Sequence, residues 1–333
     1  MVVFNKVLVT LKSLKMDLFL QTAFDKFSVI EGLFVVEKGK RKHQFNPAQI
    51  NQIWLNHKVA VEGEVIQLAL KNRINIIFLS TEGFPIGSIA PYNRKNGIAV
   101  QAKQWQLAQR PDAATYVSTY LFKGQLRRFQ FVQTHLSSAV AHPILDTLTT
   151  IIQTNQKRFV EKDLPFPNEL QEAYFAKTYF AALNLILPPA FQFAKRSRRP
   201  AQDAFNALLN YALGWLYAMV NNAVRKAKLD PFIGFHHRPK DGNPALVFDL
   251  IEAYRPWVEM ACIQLVLSQK IQLTDFESLE EKKGVIIAKP ARKKIIQYVH
   301  QSFQETHEAG NKLDNIYQDA REFAIFLNNY DFL

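Results

Sequence analysis

Charged and histidine side chains gather in one short stretch of this chain that is otherwise largely apolar. The two histidines are part of the run Gly234-Phe-His-His237, and the charged residues are Asp249, Glu252 and Arg255. If the segment around Asp249 is helical, Asp249 and Glu252 lie on one face, because residues three apart are neighbours on a helix surface. A carboxylate in an apolar run needs a partner, since burying an uncompensated charge is costly. A divalent cation and Arg255 are both candidates, and these residues alone leave the choice open.

Glu172 is a second candidate, because it is the last acidic residue before a long basic stretch. No aspartate or glutamate occurs from Ala173 to Gln202. The basic residues there are Lys177, Lys195, Arg196, Arg198 and Arg199. Asn168 and Gln171 have the spacing of a capping box, which predicts that Glu172 lies just inside a helix. The pattern fits either a surface helix followed by solvated charges or a metal-binding acid beside a phosphate-binding surface.

Several common catalytic motifs are missing from the sequence. There is no Gly-rich phosphate loop, no Gly-x-Ser-x-Gly elbow and no His-Glu-x-x-His pair. The single cysteine, Cys262, lies in an apolar stretch and is predicted to be a small buried hydrophobe. Any chemistry must therefore be built from scattered carboxylates and histidines.

The overall charge indicates a polyanionic partner. The chain has 41 basic and 29 acidic residues and a formal net charge of +12. Such an excess attracts nucleic acid or an anionic membrane surface. We favour nucleic acid, because no long basic amphipathic helix with a bare apolar face is evident. The start of the chain does not resemble a signal peptide, and the most apolar run, residues 179–194, is interrupted by Asn184 and two prolines. We expect a cytoplasmic protein with no membrane association.

These candidate residues must be positioned by two different kinds of structure. Up to Pro91 the sequence predicts short strands, such as Leu33–Glu37 and Ile74–Leu79, with one helix at residues 65–70. Residues 92–100 are predicted to be a linker. Helical spacing dominates 101–333, most clearly in the apolar stripe from Phe205 to Ala223. We therefore predict an α+β protein with a β-rich domain at 1–91, in which 1–30 are poorly assigned, and an α-helical domain at 101–333.

Three blocks follow one another in the second half of the chain. They read Glu172-x6-Tyr179-Phe180, then Arg199-Pro200-x-x-Asp203-x-x-Asn206-Ala-Leu-Leu209, then Leu229-Asp-Pro231-x-x-Gly234-Phe235-x-His237 with Asp249-Leu-Ile-Glu252-x-x-Arg255-Pro256. In order and spacing they resemble the CRISPR-associated integrases that insert new spacers, the "Cas-one" family. The resemblance covers roughly residues 32 to 330. Ala173 stands where the family has glycine, and His236 is an additional histidine, so His237 is identified by the Gly-Phe-x-His spacing.

The resemblance implies a fold and a site. The fold would be an N-terminal β-sandwich-like domain followed by a larger, all-α catalytic domain. Glu172, His237 and Glu252 would be catalytic residues and the ligands of one divalent metal, Mn(II) or Mg(II), with Asp249 as an adjacent catalytic residue. Two carboxylates and an imidazole suit these ions. The phosphate backbone of DNA would be contacted by Lys195, Arg196, Arg198 and Arg199.

The resemblance also implies an activity and its partners. The protein would join the 3′-hydroxyl ends of a protospacer to the CRISPR repeat by metal-dependent transesterification of double-stranded DNA. It would act as a homodimer, with a small "Cas-two" protein bridging two dimers. Two alternatives are a structure-specific, metal-dependent DNA endonuclease and a non-catalytic DNA-binding scaffold.

Overall fold

The computed structural model describes most of the chain. The described residues are 16–20, 26–56, 59–81, 85–91, 97–136, 143–161, 169–238, 242–279, 284–307 and 310–330. The chain divides into two compact units, Met1–Asn93 and Arg94–Leu333. Within these described ranges, no helix combines the length and the apolar character needed to cross a membrane.

The described residues of the N-terminal unit form two β-sheets. The first has the order β1 (Met16–Leu20), β5 (Ile50–Leu55), β6 (Asn75–Leu79) and β7 (Pro85–Ile89), with β7 antiparallel at its edge and the other three strands parallel. The second is an antiparallel meander of β2 (Lys26–Ile30), β3 (Leu33–Lys38) and β4 (Arg41–Phe45). Helix α1 (Gly63–Lys71) connects the parallel strands β5 and β6. A hydrophobic core in this unit contains Phe27, Phe34, Ile53, Val65 and Ile76.

The predicted elements of this unit are confirmed. The strands expected at Leu33–Glu37 and Ile74–Leu79 are β3 and β6, and the expected short helix is α1. The turn after β3 contains Gly39 at φ +57°, a left-handed conformation that glycine adopts without steric cost. Of residues 1–30, only 16–20 and 26–30 belong to the described part of the chain.

The C-terminal unit is built mainly from helices. They are α2 (Gly97–Ala108), α3 (Thr115–Leu136), α4 (Pro143–Glu161), α5 (Glu169–Ile186), α6 (Ala204–Lys226), α7 (Ala245–Ile251), α8 (Arg255–Leu267), α9 (Lys289–Gln304) and α10 (Lys312–Asn329). Two short antiparallel hairpins accompany them: β8 (Phe276–Leu279) with β9 (Gly284–Ile287), and β10 (Thr306–His307) with β11 (Gly310–Asn311). The predicted sequence of strands followed by helices is confirmed, and the hairpins add strand structure that the helical periodicity did not indicate.

Helix α6 is the central element of the C-terminal unit. The predicted apolar stripe is buried along its whole length. The helix begins at Ala204, because the side chain of Asp203 caps it by accepting a hydrogen bond from Asn206 N at 2.7 Å. Pro200 therefore lies outside the helix, in the segment that leads to it.

The predicted linker at 92–100 is only partly described. Residues 92–96 lie outside the described ranges, and residues 97–100 form the first turn of α2. Gly97 and Val100 are buried there, so packing stabilises the first turn of this helix. Residues 97–100 are thus helix rather than linker.

Candidate metal and DNA site

The predicted site residues come from three segments of the C-terminal unit. Glu172 lies in the first turn of α5, His236 and His237 lie in the connection between α6 and α7, and Asp249 lies in α7 with Glu252 as its C-terminal cap. Charges on these segments act on one another: the carboxylates of Glu172, Asp249 and Glu252 all influence His236. Three distant segments are therefore brought into one electrostatic neighbourhood.

Asp249 organises the loop that carries the two histidines. Its carboxylate is fully buried. Oδ2 accepts hydrogen bonds from the backbone N–H groups of Phe235 at 2.6 Å and His236 at 3.2 Å. Oδ1 lies 2.9 Å from His237 N and 2.8 Å from His237 Nδ1. The buried charge is thus compensated by loop hydrogen-bond donors, a solution that the sequence did not reveal.

The contact with Asp249 also sets the orientation of His237. An ionised carboxylate only accepts hydrogen bonds, so Nδ1 of His237 donates and Nε2 is left facing away from Asp249. The side chain of His237 is 38% exposed. A buried carboxylate that holds one imidazole nitrogen while the other is presented outward is the usual arrangement behind a metal-ligating histidine.

Gly234 lets this loop approach α7 closely. A Cβ atom at this position would lie 2.7 Å from the Ala245 side chain and 2.7 Å from the His237 carbonyl oxygen. Since contacts under 3.0 Å force neighbouring atoms apart, any larger residue would push the histidines away from Asp249. The close packing of the loop against α7 therefore requires glycine at this position of the Gly-Phe-x-His block.

Glu172 lies next to His236 rather than next to the expected histidine. Nε2 of His236 is 3.6 Å from Oε1 of Glu172. The attraction of the Glu172 carboxylate is the largest cause that raises the pKa of His236, with smaller contributions from Asp249 and Glu252 and with burial opposing them. In the amino-acid sequence, His236 is only an additional histidine. Its one signal was adjacency to His237.

Glu252 is held between two guanidinium groups. Oε1 accepts a hydrogen bond from Arg255 Nη1, and Oε2 lies 3.6 Å from Arg128 Nη1. Burial would raise the pKa of Glu252, but Arg255 and then Arg128 outweigh it, so the pKa is lowered and the carboxylate is ionised. Arg255 is thus the partner of Glu252 and not of Asp249. Arg128 was missed, because nothing in its local sequence connects it to Glu252.

The four predicted DNA-contacting residues form a basic loop at residues 195–199, in which Arg196 differs from the others. Nη1 of Arg196 donates to Asn206 Oδ1 at 2.6 Å, and Nη2 donates to Asn210 Oδ1 at 2.6 Å. Burial, followed by the charge of Arg198, lowers its pKa to about 10. The other three cations, Lys195, Arg198 and Arg199, are exposed. Arg196 therefore ties the loop to α6, and the exposed three are the ones able to meet phosphates.

Gln104 is a further residue that the sequence analysis missed. This buried side chain of α2 donates from Nε2 to the carbonyl oxygens of Asp230 at 2.8 Å and Ile233 at 2.7 Å. Its Oε1 accepts from Asp230 N at 2.9 Å. Gln104 thus anchors the segment after α6 that leads to His237.

The donor chemistry of the site fits a divalent cation, although its side chains are not gathered around one point. Within the described ranges, no three His, Cys, Asp or Glu side chains lie close enough together to hold a metal ion. Glu172 faces His236, and Glu252 faces Arg255 and Arg128. Glu172 is 32% exposed and can be reached by an ion from solvent. Carboxylate oxygens and an imidazole nitrogen such as Nε2 of His237 are suitable ligands for such an ion.

Comparison with known proteins identifies the family of this chain. A family model described as CRISPR associated protein Cas1 matches residues 18–301. A CRISPR-associated endonuclease Cas1 from Archaeoglobus fulgidus is 29% identical over 277 residues, which cover 76% of this chain and 79% of that protein. The relationship thus extends over both compact units.

Two solved structures show a similar fold. A chain of a Cas6-RT-Cas1–Cas2 complex has a TM-score of 0.77 and 21% identity; the match covers 96% of this chain and 35% of that longer one. A casposase bound to its integration product has a TM-score of 0.75 and 18% identity, with 95% of this chain and 92% of that chain covered. At these identities the likeness concerns the fold.

Proposed function

The chain belongs to the Cas1 family of CRISPR-associated proteins, and from this premise we propose that it is a metal-dependent DNA integrase of CRISPR adaptation. It would join the 3′-hydroxyl ends of a protospacer to the CRISPR repeat. The matched casposase is bound to an integration product, which supports a joining reaction on this fold. A protein acting on a repeat array would work in the prokaryotic cytoplasm.

One observation carries the proposal: the buried Asp249 carboxylate holds His237 by Nδ1 at 2.8 Å. That contact leaves Nε2 available to a ligand, and the charge of His237 acts on Glu252. A metal-ligating histidine usually donates its other ring N–H to such an acceptor. We therefore propose Glu172, His237 and Glu252 as the ligands of one divalent ion, Mn(II) or Mg(II), with Asp249 as the residue that orients His237.

The proposed reaction is a transesterification, in which a phosphodiester bond is exchanged rather than consumed. When bound, a divalent ion lowers the pKa of the incoming 3′-hydroxyl and neutralises charge on the leaving oxygen. The protospacer 3′ oxygen forms a bond to the repeat phosphorus and loses its proton. The bond from that phosphorus to the repeat 3′ oxygen breaks, and that oxygen gains a proton. No covalent enzyme intermediate is needed, which agrees with the absence of a recognisable nucleophile motif.

The surroundings of the site support a DNA substrate. The exposed cations of the basic loop would contact backbone phosphates, and such contacts position DNA without reading its sequence. The charge of Arg198 acts on Glu252, so the loop lies within electrostatic range of the proposed ligands. We propose double-stranded DNA as substrate. We also propose that the protein is a homodimer. A Cas2 ("Cas-two") partner is proposed because the matched complex contains Cas1 and Cas2.

A nuclease is the second candidate, because the Archaeoglobus relative carries the name endonuclease. The same residues could then assist attack by water on branched DNA. A non-catalytic scaffold is the third, in which the acidic residues have only structural roles. The identity of the attacking oxygen separates the three.

The first prediction concerns that oxygen. With Mn(II) and a supercoiled plasmid carrying the repeat, oligonucleotides ending in 3′-hydroxyl should be joined to the plasmid. Oligonucleotides ending in 3′-phosphate or a dideoxynucleotide should bind as well but give no joined product, because they lack the attacking group. Denaturing gels measure joining, and fluorescence anisotropy measures binding.

Two controls accompany this assay. Glu172→Gln and Glu252→Gln should abolish joining by the 3′-hydroxyl oligonucleotide, since each removes a proposed ligand charge. Equal metal-dependent nicking with all three ends would make the protein a nuclease. Binding without metal-dependent products would make it a scaffold.

A further inference from the structure

Helix α3 packs against the backbone at Glu252. A Cβ atom at Gly124 would lie 2.2 Å from the Glu252 carbonyl oxygen, so α3 approaches this peptide as closely as glycine permits. Arg127 donates from Nη1 to the next carbonyl oxygen, that of Ala253. The Arg127 guanidinium also lies over the ring of Trp257, 4.1 Å from its centroid. Two successive peptides of the α7–α8 connection are thus held by one helix.

The same helix also reaches the side chain of Glu252. Arg128 lies one turn after Gly124, on the same face of α3. Its Nη1 is 3.6 Å from Glu252 Oε2. Its other nitrogens donate to a different carboxylate, with Nε 2.8 Å from Glu259 Oε2 and Nη2 2.7 Å from Glu259 Oε1. One rigid guanidinium therefore bridges two glutamates, which a lysine ammonium would not do with the same geometry.

Glu259 determines how Arg128 is oriented. Its side chain is buried in α8, and it also accepts a hydrogen bond from Tyr179 OH at 2.9 Å. Bidentate pairing fixes the plane of the guanidinium as well as its position. Because Glu259 already neutralises Arg128, the bridge can orient Glu252 without adding net positive charge next to a cation site.

We infer that α3 is the positioning element for Glu252, with Arg128 as the positioning residue and Gly124 as the point of backbone contact. The buried ion pair of Arg128 with Glu259, together with the contact at Gly124, sets the position at which the Glu252 carboxylate can bind a divalent cation. This inference rests on the proposed function. It extends that function to residues outside the three blocks of the resemblance and assigns them a role in metal affinity.

The inference is tested by the Mn²⁺ affinity of two variants whose net charge equals that of the unmodified protein. Gly124→Ala would displace the Glu252 backbone without altering charge. The double variant Arg128→Gln/Glu259→Gln removes one positive and one negative charge, so long-range effects on the cation largely cancel. It also avoids a buried, unpaired Glu259, which Arg128→Gln alone would leave. We expect the dissociation constant of Mn²⁺ to rise about 10-fold or more in each, as for other outer-shell partners of metal ligands.

The measurement is titration of free Mn²⁺ by electron paramagnetic resonance, with thermal unfolding recorded on each variant. Lys123→Gln removes an exposed cation from α3, and Gly63→Ala adds a methyl group where nothing lies within 4 Å; both should bind Mn²⁺ as the unmodified protein does. Folded Gly124→Ala and double variants with affinities within about twofold of the unmodified protein would overturn the inference, even where their stability is reduced.

Glu252→Ala distinguishes this failure from failure of the proposed function. If Glu252→Ala weakens Mn²⁺ binding and the α3 variants do not, only the positioning role is wrong. If Glu252→Ala binds Mn²⁺ as the unmodified protein does, the ligand assignment is wrong and the positioning role falls with it.

Discussion

At the scale of single residues, the adjacent histidines illustrate how neighbours differ in role. The rings of His236 and His237 are 5.3 Å apart and nearly perpendicular, at 85°. His236 faces the Glu172 carboxylate, whereas His237 faces the buried Asp249. Only His237 has a fully buried carboxylate that selects one ring nitrogen. That contact is our reason for assigning the ligand role to His237.

Exchange of each histidine for alanine tests this assignment. His237→Ala should reduce strand transfer more than about 100-fold, exceeding the usual loss for an outer-shell partner, because a ligand itself is removed. His236→Ala should stay within about 10-fold of the unmodified protein. Strand-transfer rates at saturating Mn²⁺ check both values. The reverse ranking would make His236 the ligand, at the position where the structure already pairs it with Glu172.

At the scale of elements, the basic loop is a segment held at both ends. Arg196 ties it to α6. At its far end, Val285 N of β9 donates to the Ala201 carbonyl oxygen at 2.8 Å. A Cβ atom on Gly284 would lie 2.5 Å from Pro200 Cβ, so the hairpin packs tightly against the segment after the loop. These restraints leave Arg198 and Arg199 exposed on a fixed backbone.

The loop predicts a specific salt dependence. Arg198→Gln combined with Arg199→Gln should weaken DNA binding for all sequences alike. The logarithm of the DNA association constant falls linearly with the logarithm of the salt concentration, and this slope should become shallower by about 0.9 for each lost phosphate contact. Anisotropy titrations over a series of salt concentrations measure this slope. Arg225→Gln, which removes an exposed cation at the other end of α6, is the matched control and should bind normally. An unchanged slope in the double variant would mean that other residues contact the phosphates.

At the scale of the whole molecule, the candidate chemistry belongs to one of two units. The proposed ligands, the orienting Asp249 and the basic loop all lie in Arg94–Leu333. The Met1–Asn93 unit has its own sheets and its own core. A ligand that binds only the folded C-terminal unit must stabilise that unit by mass action.

Thermal unfolding with Mn²⁺ tests this division. At 100 times its dissociation constant, Mn²⁺ should stabilise the C-terminal unit by about 2.7 kcal/mol. Of the four tryptophans, only Trp54 lies in the N-terminal unit, so fluorescence of a Trp54→Phe variant follows the C-terminal unit alone. The stabilisation of the C-terminal unit by Mn²⁺ should disappear in Glu172→Ala. If Mn²⁺ stabilises that variant as much as the unmodified protein, the ion binds at another site.

The amino-acid sequence by itself determined the order of strands and helices, the α6 helix and the segments that supply the site. Those features depend on local periodicity, capping residues and motif spacing, which are readable along a chain. The family resemblance rested on the same kind of information, and it is confirmed.

Only the tertiary structure decided which partner each charged group takes. Arg128 and Glu259 are 131 positions apart, and Gln104 and Asp230 are 126 apart, so no local pattern joins them. Arg196 looked like its neighbours in the basic loop until Asn206 and Asn210 were seen to hold it. Burial, hydrogen-bond geometry and charge compensation arise when distant segments pack together, and they separate a residue that can meet DNA or a metal from one that supports it.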